Sequence, residues 1–219
     1  MAIFVNQRGN KMRITKLIVP SLLLGALFSA LSASAGVVDT IDSTSGVGNV
    51  SPNYFVPNSI ATTSSPYYRE AGEDWQWAHN AILSSYTTAT LSISAYDVDN
   101  PSAVRGFTDE IDEIYGYETS TSSWNLIGTL DGANDIYSFT TFNLGSSWAS
   151  EISTGLLVKI LIDQGNQGWL VALAKSVLAT DGENIGNPNP GSTVPLPAAA
   201  WLFGSVVLGF FGARRRNQV

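Results

Sequence analysis

Two groups of residues have the types and spacing to do chemistry. Asp97-Val98-Asp99-Asn100 closes one run of alternating apolar residues, and Asp109-Glu110-Ile111-Asp112-Glu113 opens the next. Carboxylates at strand ends suit Ca2+, a hard cation that takes about six to eight oxygens on flexible backbone. If a strand continues through Asp97 and Asp99, both point to one side, and with Asp112 they could chelate one ion. The spacing matches no EF-hand loop, and a solvated acidic surface is the other reading. Trp75, Trp77 and His79 share one face of a strand. Exposed, such rings would grip the apolar faces of sugars. Buried, they are core, with a histidine that finds a hydrogen-bond partner.

Reactive chemistry is poorly supplied. The 219 residues include no cysteine, which excludes disulfides, thiolate metal sites and a cysteine nucleophile, and only one histidine. Catalysis through His79 would need a nucleophile and an orienting acid at contact distance. No Gly-x-Ser-x-Gly, His-Glu-x-x-His or phosphate loop accompanies it. A glycosidase needs only two carboxylates, but nothing in the sequence positions a pair. The expectation is a protein that is not an enzyme.

The elements that must position these residues lie between 36 and about 180. This body is rich in Ser, Thr, Tyr, Trp, Val and Ile, with glycines punctuating short runs. Strands are predicted at 75–82, 89–96, 110–117, 124–130, 135–144, 156–162 and 169–178. The run 89–96 alternates apolar and hydroxyl residues, so one face is expected buried and one wet. The run 156–162 is almost continuously apolar, which predicts a central strand buried on both faces. The turn cluster 163–168 would join it in a hairpin to 169–178. The predicted fold is all-β: an antiparallel β-sandwich or jelly roll. It would be flanked by an N-terminal signal peptide and a C-terminal transmembrane helix.

Charge divides the chain the same way. Seven of the eleven bases sit at the two ends, while all eighteen acids lie between Asp39 and Glu183. The middle therefore carries four bases against eighteen acids, a formal −14. That balance argues against nucleic acid, since a phosphate binder needs clustered Lys and Arg.

Both ends are apolar and basic. Lys11, Arg13 and Lys16 precede an apolar run from Leu17 to Leu31, and Ala33 and Ala35 precede Gly36 as small residues of a cleavage site. These are the parts of a secretory signal peptide at 1–35, with Met12 an alternative start. At the other end, 181–193 reads as a flexible linker. Val194-Pro195-Leu196-Pro197 follows, then an apolar stretch at 198–213 and Arg214-Arg215-Arg216. Sixteen helical residues rise about 24 Å, a short span of a hydrocarbon core about 30 Å thick. The positive-inside rule leaves the three arginines cytoplasmic and the body outside.

The tail at 194–216 closely resembles the PEP-CTERM sorting domain of Gram-negative bacteria, with Pro195-Leu196-Pro197 where the family has Pro-Glu-Pro. The resemblance implies export through signal peptidase, a transient stay in the inner membrane with the body periplasmic, and handling by an exosortase. The mature protein would then reach the cell surface or exterior of a bacterium that makes exopolysaccharide and forms biofilms. The body more loosely resembles jelly-roll modules of bacterial surface and carbohydrate-active proteins. Three roles follow as expectations. The first is a structural or binding protein of the extracellular matrix. The second is a lectin-like module for extracellular polysaccharide, with or without Ca2+. The third is an extracellular polysaccharide hydrolase.

Overall fold

The computed structural model describes residues 36–45, 52–58, 60, 62–100 and 108–191. Ala33 and Ala35 of the expected cleavage site lie outside the described residues, as do the sorting motif Val194–Pro197, the apolar stretch 198–213 and Arg214–Arg216. Among the described residues no helix is long and apolar enough to cross a membrane.

Those residues are mostly β, in two antiparallel four-stranded sheets with little helix. The strands are β1 (Val38–Asp42), β2 (Trp75–Ala78), β3 (Ala89–Tyr96), β4 (Glu113–Glu118), β5 (Ser123–Thr129), β6 (Tyr137–Leu144), β7 (Leu157–Leu161) and β8 (Ala172–Thr180). A single 3-10 turn (Ser146–Trp148) leads into the short helix α1 (Ala149–Thr154). The first sheet has the order β1-β8-β3-β6 and the second β2-β7-β4-β5. One core lies between them, with Ile41, Leu91, Ile93 and Leu178 from the first and Trp75, Trp77, Ile114, Val158 and Ile160 from the second.

The alternation in 89–96 forms β3 with the expected bounds, but the face expected to be wet is not: Ser92 and Ser94 are fully buried, their hydroxyls paired with Thr141 and the Pro188 carbonyl. The run 156–162, expected to be buried on both faces, is not. β7 is central in its sheet but alternates, with Val158 and Ile160 buried and Leu157, Lys159 and Leu161 half-buried. The strand buried on both faces is β8, all nine residues of it. Nor do β7 and β8 form a hairpin: they lie in different sheets, and the turn at 163–168 crosses between them. Among the described residues only β4 and β5 are consecutive strands paired as neighbours.

Burial of the outer face of β8 has a visible source. Ser94 and Lys175 are register partners on that face. Ser94 Oγ donates to the Pro188 carbonyl (2.5 Å), and Lys175 Nζ donates to the Asn187 carbonyl (3.0 Å). Asp181 Oδ1 accepts from the backbone N–H of Thr87 (2.7 Å) and Thr88 (3.2 Å). The run expected as a free linker is therefore anchored to the first sheet up to Pro188, because its carbonyls satisfy polar groups that would otherwise be orphaned.

Candidate functional site

The strand expected at 75–82 ends at Ala78, and its alternation sends Trp75 and Trp77 inward. Trp77 is 1% exposed and Trp75 8%. Phe55 stands edge-on to both, with ring centroids 4.7 and 5.4 Å away, and the two indoles are 5.0 Å apart. Their faces are packed against other rings, so these residues are core and offer no platform to a sugar.

His79 follows the strand end and is also buried. Its Nδ1 lies 2.8 Å from Asp39 Oδ2 and its Nε2 lies 2.8 Å from Ser176 Oγ. Asp39 comes from β1, Ser176 from β8 and His79 from the end of β2, so the cluster ties the two sheets together. Asn80 completes the carboxylate's shell, its N–H donating to Oδ2 (3.0 Å) and its Nδ2 to Oδ1 (2.8 Å). Burial works to raise the Asp39 pKa, but the hydrogen bonds from His79 and Asn80 outweigh it and hold the group below the ordinary carboxylate value. An ionised Asp39 fits a His79 that donates through Nδ1 and accepts the Ser176 hydroxyl through Nε2. This is the connectivity of a hydrolase triad. Ser176 is 0% exposed, however, so no substrate carbonyl reaches Oγ. Here the arrangement acts as a polar staple across the core.

The acidic residues separate into two groups. β3 stops at Tyr96 because Asp97 takes a left-handed φ of 67°, so Asp97 and Asp99 do not continue along one strand face. Asp97 is consumed locally: Oδ2 accepts from the Tyr68 hydroxyl and Oδ1 from Asp135 N–H (2.9 Å). Asp99 is buried, and desolvation, reinforced by the charges of Asp97 and Asp135, raises its pKa. Asp112 is fully buried and accepts from Asp163 N–H through Oδ1 (2.9 Å). Its carboxyl neighbour is Glu110, not Asp97 or Asp99. Among the described residues no three His, Asp or Glu side chains gather as a metal cluster, so the expected set of Asp97, Asp99 and Asp112 is not assembled.

A face not singled out from sequence carries the accessible aromatic chemistry. Register partners share a face, which places Gln76, Lys159, Tyr115 and Leu126 in a row across the outer side of the second sheet. Tyr117 and Trp124 pair in the adjacent row, their rings edge-on at 5.3 Å. Lys159 Nζ lies 4.6 Å from the Trp124 ring centroid and 5.2 Å from that of Tyr115. Tyr115 donates its hydroxyl to Glu113 (2.8 Å), and Leu126 is more than half exposed. The period-2 pattern Glu113-Ile114-Tyr115-Gly116-Tyr117 could have revealed this face. Ile114 and Gly116 turn inward, and Gly116 is required because a Cβ would stand 2.5 Å from the Trp148 ring.

Two hollows of about 440 and 290 Å3 open on the surface, and neither brings two carboxyls together. The sequence matches no family model and no curated protein.

Proposed function

We propose that this chain is an exported surface protein whose body binds extracellular polysaccharide rather than transforming it. The signal peptide at 1–35 and the sorting tail at 194–216, handled by an exosortase, deliver it to the cell surface or matrix. The strand orders β1-β8-β3-β6 and β2-β7-β4-β5 support a jelly roll for the body. The observation that carries the binding reading is the half-exposed group of Tyr115, Tyr117 and Trp124 on two adjacent rows of one face, flanked by Lys159, Gln76 and Glu113. Flat rings present apolar area to sugar C–H faces with little conformational entropy to lose, and the polar neighbours match hydroxyls. Hydrolysis would need a pair of carboxyls, and of the two hollows one is lined by none and the other by Glu118 alone.

Affinity electrophoresis of the full chain through gels containing extracellular polysaccharides tests this reading. Retardation that is lost in Trp124→Ala and Tyr117→Ala, with folding intact, is the expected result. Mobility unchanged by every polysaccharide, or retardation that both variants keep, would refute it.

A further inference from the structure

Ala33 and Ala35 place signal-peptidase cleavage just before Gly36. In the folded body Gly36 is buried at the entry to β1, against the end of β8 and the turn that follows it. Two long-range hydrogen bonds fix the chain there: Val37 N–H donates to Thr180 Oγ1 (2.9 Å), and Thr180 N–H donates to the Val37 carbonyl (2.9 Å). A Cβ on Gly36 would stand 2.2 Å from Glu183 Cγ, 2.4 Å from the Thr180 carbonyl oxygen and 2.9 Å from Glu183 Oε1. Glycine is the residue that lets the backbone come this close to both. Glu183 is half-buried, and among the described residues no Lys, Arg or His forms an ion pair with it. The neighbouring acid is engaged elsewhere, Asp181 Oδ1 accepting from the N–H groups of Thr87 and Thr88.

On the reading that the signal peptide ends at Ala35, we propose that cleavage supplies the missing partner of Glu183: the α-ammonium released at Gly36 pairs with the Glu183 carboxylate and locks β1 onto the end of β8. Signal peptidase adds water across the Ala35–Gly36 peptide bond. Ala35 leaves as a carboxylate, and the proton of the new acid passes to the new amine. An α-amine ordinarily titrates near about 8, so at neutral pH most of it is charged. Its nitrogen is one bond from the Cα that already approaches Glu183, so rotation of that side chain brings Oε1 into contact. Half-buried, the pair is screened less by salt than one on an open surface. Burial also sets the order of events. A protease needs the bond extended in its cleft, so cleavage precedes the docking of Gly36 against Thr180. β8 is the last strand of the body to emerge, which gives the interval. An uncleaved amide nitrogen carries no charge, so the lock belongs to processed chains. It uses no residue of the outer face of the second sheet, and polysaccharide binding does not decide it.

The test uses the chain recovered after export. Mass spectrometry of its N-terminus comes first: a start other than Gly36 overturns the cleavage position and the pair with it. With Gly36 first, the α-amine is acetylated selectively below about pH 7, where lysines, ordinarily near about 10.4, stay protonated. Thermal unfolding is then compared for the unsubstituted chain and Glu183→Gln, each with and without the acetyl group. Acetylation should lower the melting temperature of the unsubstituted chain by about 2 to 4 °C more than that of Glu183→Gln. The bulk of the acetyl group is common to both, so the difference reads the charge pair. Equal shifts in the two backgrounds would overturn the pair while leaving the cleavage position standing. Should Glu183→Gln fail to fold, the pH dependence of the acetylation rate, read on the unsubstituted chain, decides. Pairing should hold the α-amine above its ordinary range of about 7.7 to 8.0, and a value within or below that range refutes it.

Discussion

Carboxylates that have lost much of their water stand at both ends of the second sheet, and they are satisfied in opposite ways. At one end three donors from His79 and Asn80 surround Asp39, and Ser176 closes the imidazole's other nitrogen. At the other end Glu110 and Asp112 hydrogen-bond each other among further acids, and Asp163 keeps one oxygen without a partner. Loss of water is common to both, partial at Asp39 and nearly complete at Glu110, Asp112 and Asp163. The difference lies in the supply of donors, and it teaches that a buried charge holds a fold together only where its neighbours carry protons or cations to give.

The comparison can be broken hardest at the partnered end. His79→Ala removes the donor to Asp39 and the acceptor for Ser176 from inside the core, and should cost about 3 kcal/mol by urea unfolding. A loss below about 1 kcal/mol would mean the staple is incidental. Ser176→Ala removes one hydroxyl and leaves His79 Nε2 unsatisfied, so about 2 kcal/mol is expected from the same measurement.

Titration should give the two ends opposite signs. The folded state holds Asp39 below its ordinary value of 3.8, so that end contributes stability above this pH and loses it as pH falls through the folded value. Glu110 is held above its ordinary 4.5, because burial and Asp112 favour its protonated form. Between those two values the native state keeps a proton that the unfolded chain has released. Stability therefore falls as pH rises from the ordinary glutamate range, by up to about 1.4 kcal/mol per unit. Unfolding followed from pH 4 to 9 should show this decline, and Glu110→Gln should flatten it. A flat profile in the unsubstituted chain would contradict a proton held between the two carboxyls. The smallest effect on stability is expected outside both ends. Trp124→Ala removes a half-exposed ring from the outer face and should cost about 1 kcal/mol or less, while abolishing retardation by polysaccharide.

Legibility in the sequence followed the range of the interactions. β3 was readable because alternation between apolar and hydroxyl residues is written into eight consecutive positions, although Ser92 and Ser94 are as buried as Leu91 and Ile93. β1 gave no such pattern, since Val38–Asp42 becomes a strand by pairing with β8 at the far end of the body. The apolar run around β7 suggested burial on both faces, yet its outer side carries Lys159 against two aromatic rings. β8 earns full burial partly from the segment laid over Ser94 and Lys175. His79 was visible as a lone histidine, but its partners lie 40 and 97 residues away, with no spacing rule to find them. The acid-rich stretch 109–113 was equally visible, and what went unread was the choice of Glu110 as the neighbour of Asp112.

The sequence by itself determined the absence of any thiolate chemistry, the acidic surplus of the body and the β character of its short alternating runs. These are properties of composition and of neighbours along the chain. Only the tertiary structure decided that Trp75 and Trp77 are core while Trp124 faces outward, and that Asp39 is partnered while Glu110 and Asp112 press against each other. Sheet pairing across many tens of residues sets which groups meet and which of them lose water. Those two outcomes, more than residue type, control what a carboxylate or an indole can do.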